Sequence, residues 1–198
     1  EFVAQSKRFV PHFHIPLQSG SDKILKLMRR RYQRELYTGR IARIKSLMPE
    51  CCIGVDVIVG FQGETKEDFL ETYQYLNELN ISYLHVFTYS ERDNTLASTM
   101  PDTVPKQERN ERSRMLHILS DKKRRAFYDQ QTGKEVNVIF ENDIEHGLMH
   151  GFTENYVRVG VQYDPLLIHE SKRVRLTGVN EHGVMLAEEV DNEVFAHH

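Results

Sequence analysis

Apolar residues along this 198-residue chain follow two rhythms, and the rhythm changes once. Up to about residue 130, short apolar runs ending in small and polar residues alternate with stretches of helical period. Residues 9–17, 52–59 and 82–89 read as strands. The run 52–59 is nearly continuous in apolar character, as expected of a strand buried on both faces of a parallel sheet. Ile24, Leu25, Leu27 and Met28 recur at helical spacing after Ser21-Asp22, which supply N-cap chemistry. Leu36, Ile41, Ile44, Leu47 and Met48 set a helix over 34–47 that Pro49 stops. Thr65-Lys66-Glu67-Asp68 has the form of a capping box with Asp in the usual Glu position. It opens a helix carrying Phe69, Tyr73, Leu76 and Leu79. After a loop with Pro101 and Pro105, a long charged helix spans about 106–129, with Met115, Leu116, Leu119, Ala126 and Phe127 on its buried side.

Beyond Gly133 the period shortens to two. Residues 136–140, 147–153, 156–161, 172–177 and 184–187 read as five short strands separated by turns. That spacing predicts a small β-barrel of OB-like size. The expected fold class is therefore α/β plus all-β. Residues 1–130 form a domain on parallel βα units, residues 131–190 a barrel, and residues 191–198 a tail.

Composition narrows the setting. With 39% hydrophobic and 28% charged residues the chain has the balance of a globular protein. No apolar run approaches the ~20 residues of a membrane span, and the first residues lack a signal-peptide pattern. Cys51 and Cys52 are adjacent and form no disulfide framework, so a reducing, cytoplasmic setting is expected. The net charge of −3 is unevenly spread. Residues 1–125 hold 21 Lys+Arg against 16 Asp+Glu, whereas residues 126–198 hold 5 against 13. Two modules with different partners fit that split.

Candidate chemistry sits where the strands end, since ligands of βα folds gather at the carboxyl ends. Gln18 and Ser19 follow the first strand and precede a helix. They read either as a ligand contact through backbone N–H groups or as a polar capping turn. Asp56 puts a carboxylate on a buried strand, which is costly without a partner. It is either a ligand contact or a structural acid tied to a neighbouring strand or an Arg. Phe87, Thr88 and Tyr89 close the third strand, where an aromatic covers a flat ligand or fills the core. Arg29, Arg30, Arg31 and Tyr32, with Arg34, Arg40 and Arg43, form the densest basic stretch, open both to nucleic-acid phosphates and to plain solvation. The same two readings hold for Lys122, Lys123, Arg124 and Arg125. His12 and His14 share one strand face, a pair too sparse for a metal site, so none is expected. Cys51 and Cys52 read as buried small hydrophobes.

The runs His14-Ile15-Pro16-Leu17-Gln18-Ser19-Gly20-Ser21, Met28-Arg29-Arg30-Arg31-Tyr32, Asp56 to Thr65 and His85 to Ser90 carry a resemblance in their order and spacing. The chain is similar, over about residues 13–189, to the C-terminal part of radical-SAM methylthiotransferases, which add a methylthio group to tRNA or to a ribosomal protein. The motif text most resembles the subgroup acting at C2 of N6-threonylcarbamoyl-adenosine in the tRNA anticodon loop. The resemblance implies the second half of a partial (βα) radical-SAM barrel followed by a TRAM domain. It implies S-adenosyl-L-methionine as cofactor, near Gln18, Ser19, Asp56, Ile58, Gly60, Phe87 and Tyr89. It also implies two 4Fe-4S clusters in the full-length enzyme, whose cysteine ligands are absent from this chain. The chain is thus expected to be an inactive fragment lacking the N-terminal half, with no catalytic residue of its own.

The implied partner is tRNA. Arg29, Arg30 and Arg31 are candidates to meet it, with a strip of Arg158, Lys172, Arg173 and Arg175, although the barrel segment is acidic overall. Phe152 or Tyr156 would add stacking there. Two departures from the family stand out. Gln62 replaces the usual Pro, and Asp93-Asn94-Thr95 follow Arg92 in place of Pro-Gly-Thr. The runner-up readings are methylthiolation of another modified tRNA adenosine or of a ribosomal protein, and a non-catalytic RNA-binding module.

Overall fold

The computed structural model describes residues 1–91 and 102–190. Arg92, the Asp93-Asn94-Thr95 departure, Pro101 and the tail 191–198 lie outside the described residues. The chain divides into two compact units, Glu1–Arg124 and Arg125–His198.

The first unit contains α1 (Phe2–Gln5), β1 (His12–His14), α2 (Asp22–Leu27), α3 (Arg34–Leu47), β2 (Cys52–Val59), α4 (Lys66–Glu78) and β3 (Tyr83–Thr88). It also takes in most of α5 (Lys106–Asp129). The strands form a parallel sheet in the order β1-β2-β3. Of the strand expected over 9–17, three residues, His12–His14, are regular strand. The chain still runs beside β2: Ile15 N–H donates to the Gly54 carbonyl at 2.9 Å, and the Leu17 and Gln18 N–H groups share the Asp56 carbonyl. Ile53, Val55, Val57 and Val59 alternate onto the helix-covered face and build the core with Leu17, Tyr37, Ile41, Phe69, Leu76, Leu84, Leu116 and Leu119.

Local polar groups fix where the helices start. The Thr65 hydroxyl accepts from Asp68 N–H and the Asp68 carboxylate accepts from Thr65 N–H, closing the capping box of α4. Ser21 does not cap α2 with its side chain; its hydroxyl donates to Asp68 instead. Burial works against the Asp68 carboxylate, but bonds from Lys23, Thr65 and Ser21 outweigh it and hold its pKa below the ordinary value. On the far side of β3, Leu84 N–H donates to the Ser120 hydroxyl at 2.8 Å, and that hydroxyl donates back to the Leu84 carbonyl at 3.0 Å. One serine of α5 thereby serves a stretch of sheet edge.

The second unit holds β4 (Glu135–Glu145), β5 (Leu148–Thr153), β6 (Arg158–Gln162), a 3-10 turn (Pro165–Leu167), β7 (Ser171–Val179) and β8 (Met185–Glu189). They close into a barrel in the order β4-β5-β6-β8-β7. Every pairing is antiparallel except β6 with β8, which is parallel. Val138, Phe140, Met149, Val157, Val159, Val174, Leu176 and Met185 are buried. β4 and β7 each carry a register shift that bends the strand, as closure requires. The units part within α5 because its last turn belongs to the barrel: Tyr128 is buried, and its hydroxyl accepts from Arg158 N–H at 3.0 Å.

Candidate functional site

Strand alternation gives the three-stranded sheet a second face, opposite the helices. Register places Gly54 beside Tyr83, Asp56 beside His85 and Ile58 beside Phe87, with His14 next to Gly54 on β1. The side chains on this face lie in three levels. At the lowest, the Tyr83 hydroxyl meets His12 Nε2 at 2.9 Å across β2. The crossing needs Gly54, where a Cβ would stand 2.4 Å from the Tyr83 ring. Burial lowers the His12 pKa, and the His14 and His85 imidazoles add to it.

At the middle level His14 Nε2 lies 2.5 Å from Asp56 Oδ1. The His85 ring stacks on His14, centroids 4.9 Å apart and planes 17° from parallel. Tyr83 packs edge-on against His85 at 5.1 Å. The highest level is apolar: half-buried Ile58 beside Phe87, which is 52% exposed.

Asp56, left open between a ligand contact and a structural acid, thus has an imidazole as its partner. Asp56, Ile58 and Phe87 share this face. Gln18 is placed by its backbone, at φ 79, with its carbonyl accepting from Ile58 N–H at 2.9 Å. A non-glycine residue in that region is strained by about 1–3 kcal/mol, a feature that clusters at functional sites. Ser19 does not open on this face. It is fully buried, with its hydroxyl 3.3 Å from that of Thr72 and accepting from Ser21 N–H.

Gly60 and Tyr89 belong to a bracket formed by α5. Gly60 has φ 73, and a Cβ there would lie 2.4 Å from Arg109 Cγ, so the group that approaches Gly60 closely is this side chain. Arg109 donates to the Val104 and Tyr89 carbonyls and pairs with Glu91. The Tyr89 ring packs edge-on against Phe61 at 5.0 Å, with the Arg109 guanidinium 5.8 Å from its centroid. One turn on, Arg112 meets Glu64 at 2.6 Å, both buried, and Glu64 also accepts from Gly60 N–H. Burial raises the Glu64 carboxyl against the pull of the Gly60 N–H and Arg112. Gln62 is buried, and its Oε1 has no hydrogen-bond partner among the described residues.

Residues 1–76 match the radical SAM superfamily. A threonylcarbamoyladenosine tRNA methylthiotransferase of Bacillus subtilis is 40% identical over 163 residues, 80% of this chain and 36% of the relative. Its namesake in Aquifex aeolicus is 43% identical over 161 residues, 80% of this chain and 38% of the relative. A tRNA-2-methylthio-N(6)-dimethylallyladenosine synthase of Pelotomaculum thermopropionicum is 37% identical over 180 residues, 90% of this chain and 40% of the relative. The chain belongs to the radical-SAM methylthiotransferase family. It spans about two fifths of the length of these relatives. Among solved structures, the radical SAM enzyme coproporphyrinogen III oxidase from Escherichia coli aligns at a TM-score of 0.42 and 19% identity, covering 63% of this chain and 27% of that one.

The cysteines of this methylthiotransferase-family chain do not suit an iron–sulfur cluster. Cys51 and Cys52 are buried, and as two adjacent residues they fall short of the three or four spaced thiolates a cluster takes. The basic candidates divide by unit. Arg29, Arg30 and Arg31 are exposed, with Arg29 in the left-handed region at φ 57. On the barrel each cation has an acid beside it. Arg158 pairs with Asp143 and Glu145, Lys172 with Glu189, and Arg173 and Arg175 share Glu135. Phe152 and Tyr156 stack on each other at 4.9 Å.

His85 is the residue that sequence reasoning missed. It stood inside a motif but counted only as strand. Its parity with Phe87 and the run of β3 beside Asp56 were the available signal. Arg109 and Arg112 were missed as well, because charges on a highly charged helix read as solvated.

Proposed function

We propose that the chain is the C-terminal part of a radical-SAM methylthiotransferase whose full-length form adds a methylthio group to N6-threonylcarbamoyl-adenosine in tRNA. The observation that carries this reading is identity of 40% and 43% to two enzymes named for that reaction, over 80% of the chain in each case. S-adenosyl-L-methionine supplies the radical and the methyl group in that chemistry. Ile58 and Phe87 suit its adenine: they are neighbours, apolar and partly open, and a flat heteroaromatic gains from such a surface. Gln18 lies alongside. Ser19, Gly60 and Tyr89 shape the strand-end loops from behind rather than offering side chains to the ligand. Asp56 sits one level deeper, engaged by His14. The two 4Fe-4S clusters belong to the missing N-terminal half, since the two cysteines here do not fit them.

The barrel is read as an OB-like TRAM module that helps to hold tRNA. Its strand order and its one parallel pair support that reading. No helix among the described residues is long and apolar enough to cross a membrane, and a cytoplasmic setting accords with a tRNA partner.

The test uses the full-length enzyme with reconstituted clusters and two tRNA substrates, one bearing threonylcarbamoyl-adenosine and one bearing dimethylallyl-adenosine. Mass spectrometry of nucleosides should find the 2-methylthio product on the first. Product only on the second would sink the substrate assignment. Phe87→Ala should weaken cofactor binding about tenfold, and unchanged affinity would remove Phe87 from the site.

A further inference from the structure

The middle level of the open sheet face carries two imidazoles and a carboxylate that the cofactor reading does not use. We propose that His14, Asp56 and His85 form a three-ligand site for a first-row divalent metal ion such as Zn2+, with a further coordination position facing away from the sheet.

The three donor atoms already lie near one another. One donor atom from each residue lies within 4.8 Å of the other two. Ligands of a tetrahedral ion with bonds of ~2.1 Å stand roughly 3.4 Å apart. The widest separation therefore needs to close by little more than an ångström. The His14–Asp56 contact of 2.5 Å must open by a little under one, as expected where a shared proton gives way to a cation. The donors sit on three neighbouring strands of one sheet, so backbone hydrogen bonding fixes their spacing before any ion arrives.

The surrounding side chains pack on the donors without taking their place as ligands. Tyr83, itself tied to His12, packs edge-on against His85, and His85 stacks on His14. Each nitrogen lone pair lies in its ring plane, so binding one ion through both imidazoles requires the stacked rings to turn about their Cβ–Cγ bonds. Among the described residues, Asp56 meets no lysine or arginine side chain, and His85 makes ring contacts but no hydrogen bond. In this chain taken alone, the His14 side chain is 42% exposed and that of Asp56 19%.

The donor set selects the ion class. Imidazole nitrogen with one carboxylate suits zinc and its first-row neighbours, whereas magnesium and calcium favour oxygen-only shells. Three protein ligands rather than four leave room for a water or a substrate group, the arrangement of reactive rather than structural metal sites. The donors come from sheet geometry alone, so the site does not depend on the methylthiotransferase substrate.

The 198-residue chain, stripped with a chelator, is titrated with Co2+, and bound Co2+ is then displaced by Zn2+. We expect one Co2+ per chain with visible d–d absorption, and loss of affinity by at least about 100-fold in both His14→Ala and His85→Ala, because losing a mere outer partner costs about 10–100-fold. His85 is exposed, so His85→Ala is expected to fold, and circular dichroism checks this. A second variant, His197→Ala/His198→Ala, removes the terminal imidazoles and should bind as the parent does. The proposal is overturned if the folded parent chain binds no Co2+, or if His85→Ala binds it as tightly as the parent.

Discussion

Single residues in this chain take on roles that composition alone hides, and Lys123 is the clearest. It lies on the charged helix α5, in a run that reads as solvated. In the structure its ammonium donates to the Asn77 and Leu79 carbonyls at the end of α4. Burial pushes its pKa down from 10.5 to about 8. The unfolded chain therefore holds the proton more tightly between about pH 8 and 10.5, and stability rises with pH across that window. Lys123→Met should lack this rise. The buried thiols, with pKa values raised to about 11, act in the opposite sense above pH 9. They are common to both proteins, so the difference between the two denaturation curves isolates the lysine. A difference that stays flat from pH 7.5 to 10 would refute the assignment. Asp56, Ile58 and Phe87 share one face of the sheet, but Ile58 came to notice only through the family resemblance. The sequence could not name Arg109 as the group that fills the space at Gly60, since that contact joins positions 49 residues apart.

At the scale of elements, apolar period located the strands and helices well. The span 34–47 is α3 and 52–59 is β2, where the apolar pattern is long and clean. It served less well at β1, which is shorter than the apolar run that predicts it, or where a side chain substitutes for a strand. Ser120 is such a side chain. Its hydroxyl satisfies both the N–H and the carbonyl of Leu84. Ser120→Ala should leave two buried backbone groups without partners and destabilise the chain by about 1–3 kcal/mol, measured by urea unfolding. Ser120→Thr keeps the hydroxyl and should lose less. Equal loss in both variants would mean that volume, not the hydrogen bonds, matters at this site.

For the molecule as a whole, the change of rhythm near residue 130 was legible, and so were the parallel sheet and the five-stranded barrel. What no sequence pattern disclosed is how the barrel places its charges. The acidic balance of residues 126–198 is not spread evenly; part of it lies directly against the cations proposed to meet RNA. Exposed pairs of this kind hold only weakly, so phosphates can compete for the arginines. Glu135 restrains both Arg173 and Arg175, and its carboxyl is held below the ordinary value, first by its bond from Arg175. Glu135→Gln should therefore raise tRNA affinity, by up to about fivefold at low salt, and steepen the salt dependence. Filter binding at several salt concentrations would measure both, and an unchanged affinity would argue that this face of the barrel does not meet RNA.

The closure of that barrel also sets an order in time. β4 is sealed on one side by β5, its immediate successor, but its other partner is β7, with Glu135 paired to Arg175. A ribosome making this chain synthesises and releases β4 and β5 before β7. For that interval the hairpin stands with an open edge, its apolar face uncovered. The partly made barrel is then the stage most exposed to mispairing with other nascent strands. Any delay before β7 (Ser171–Val179) joins β4 prolongs that stage.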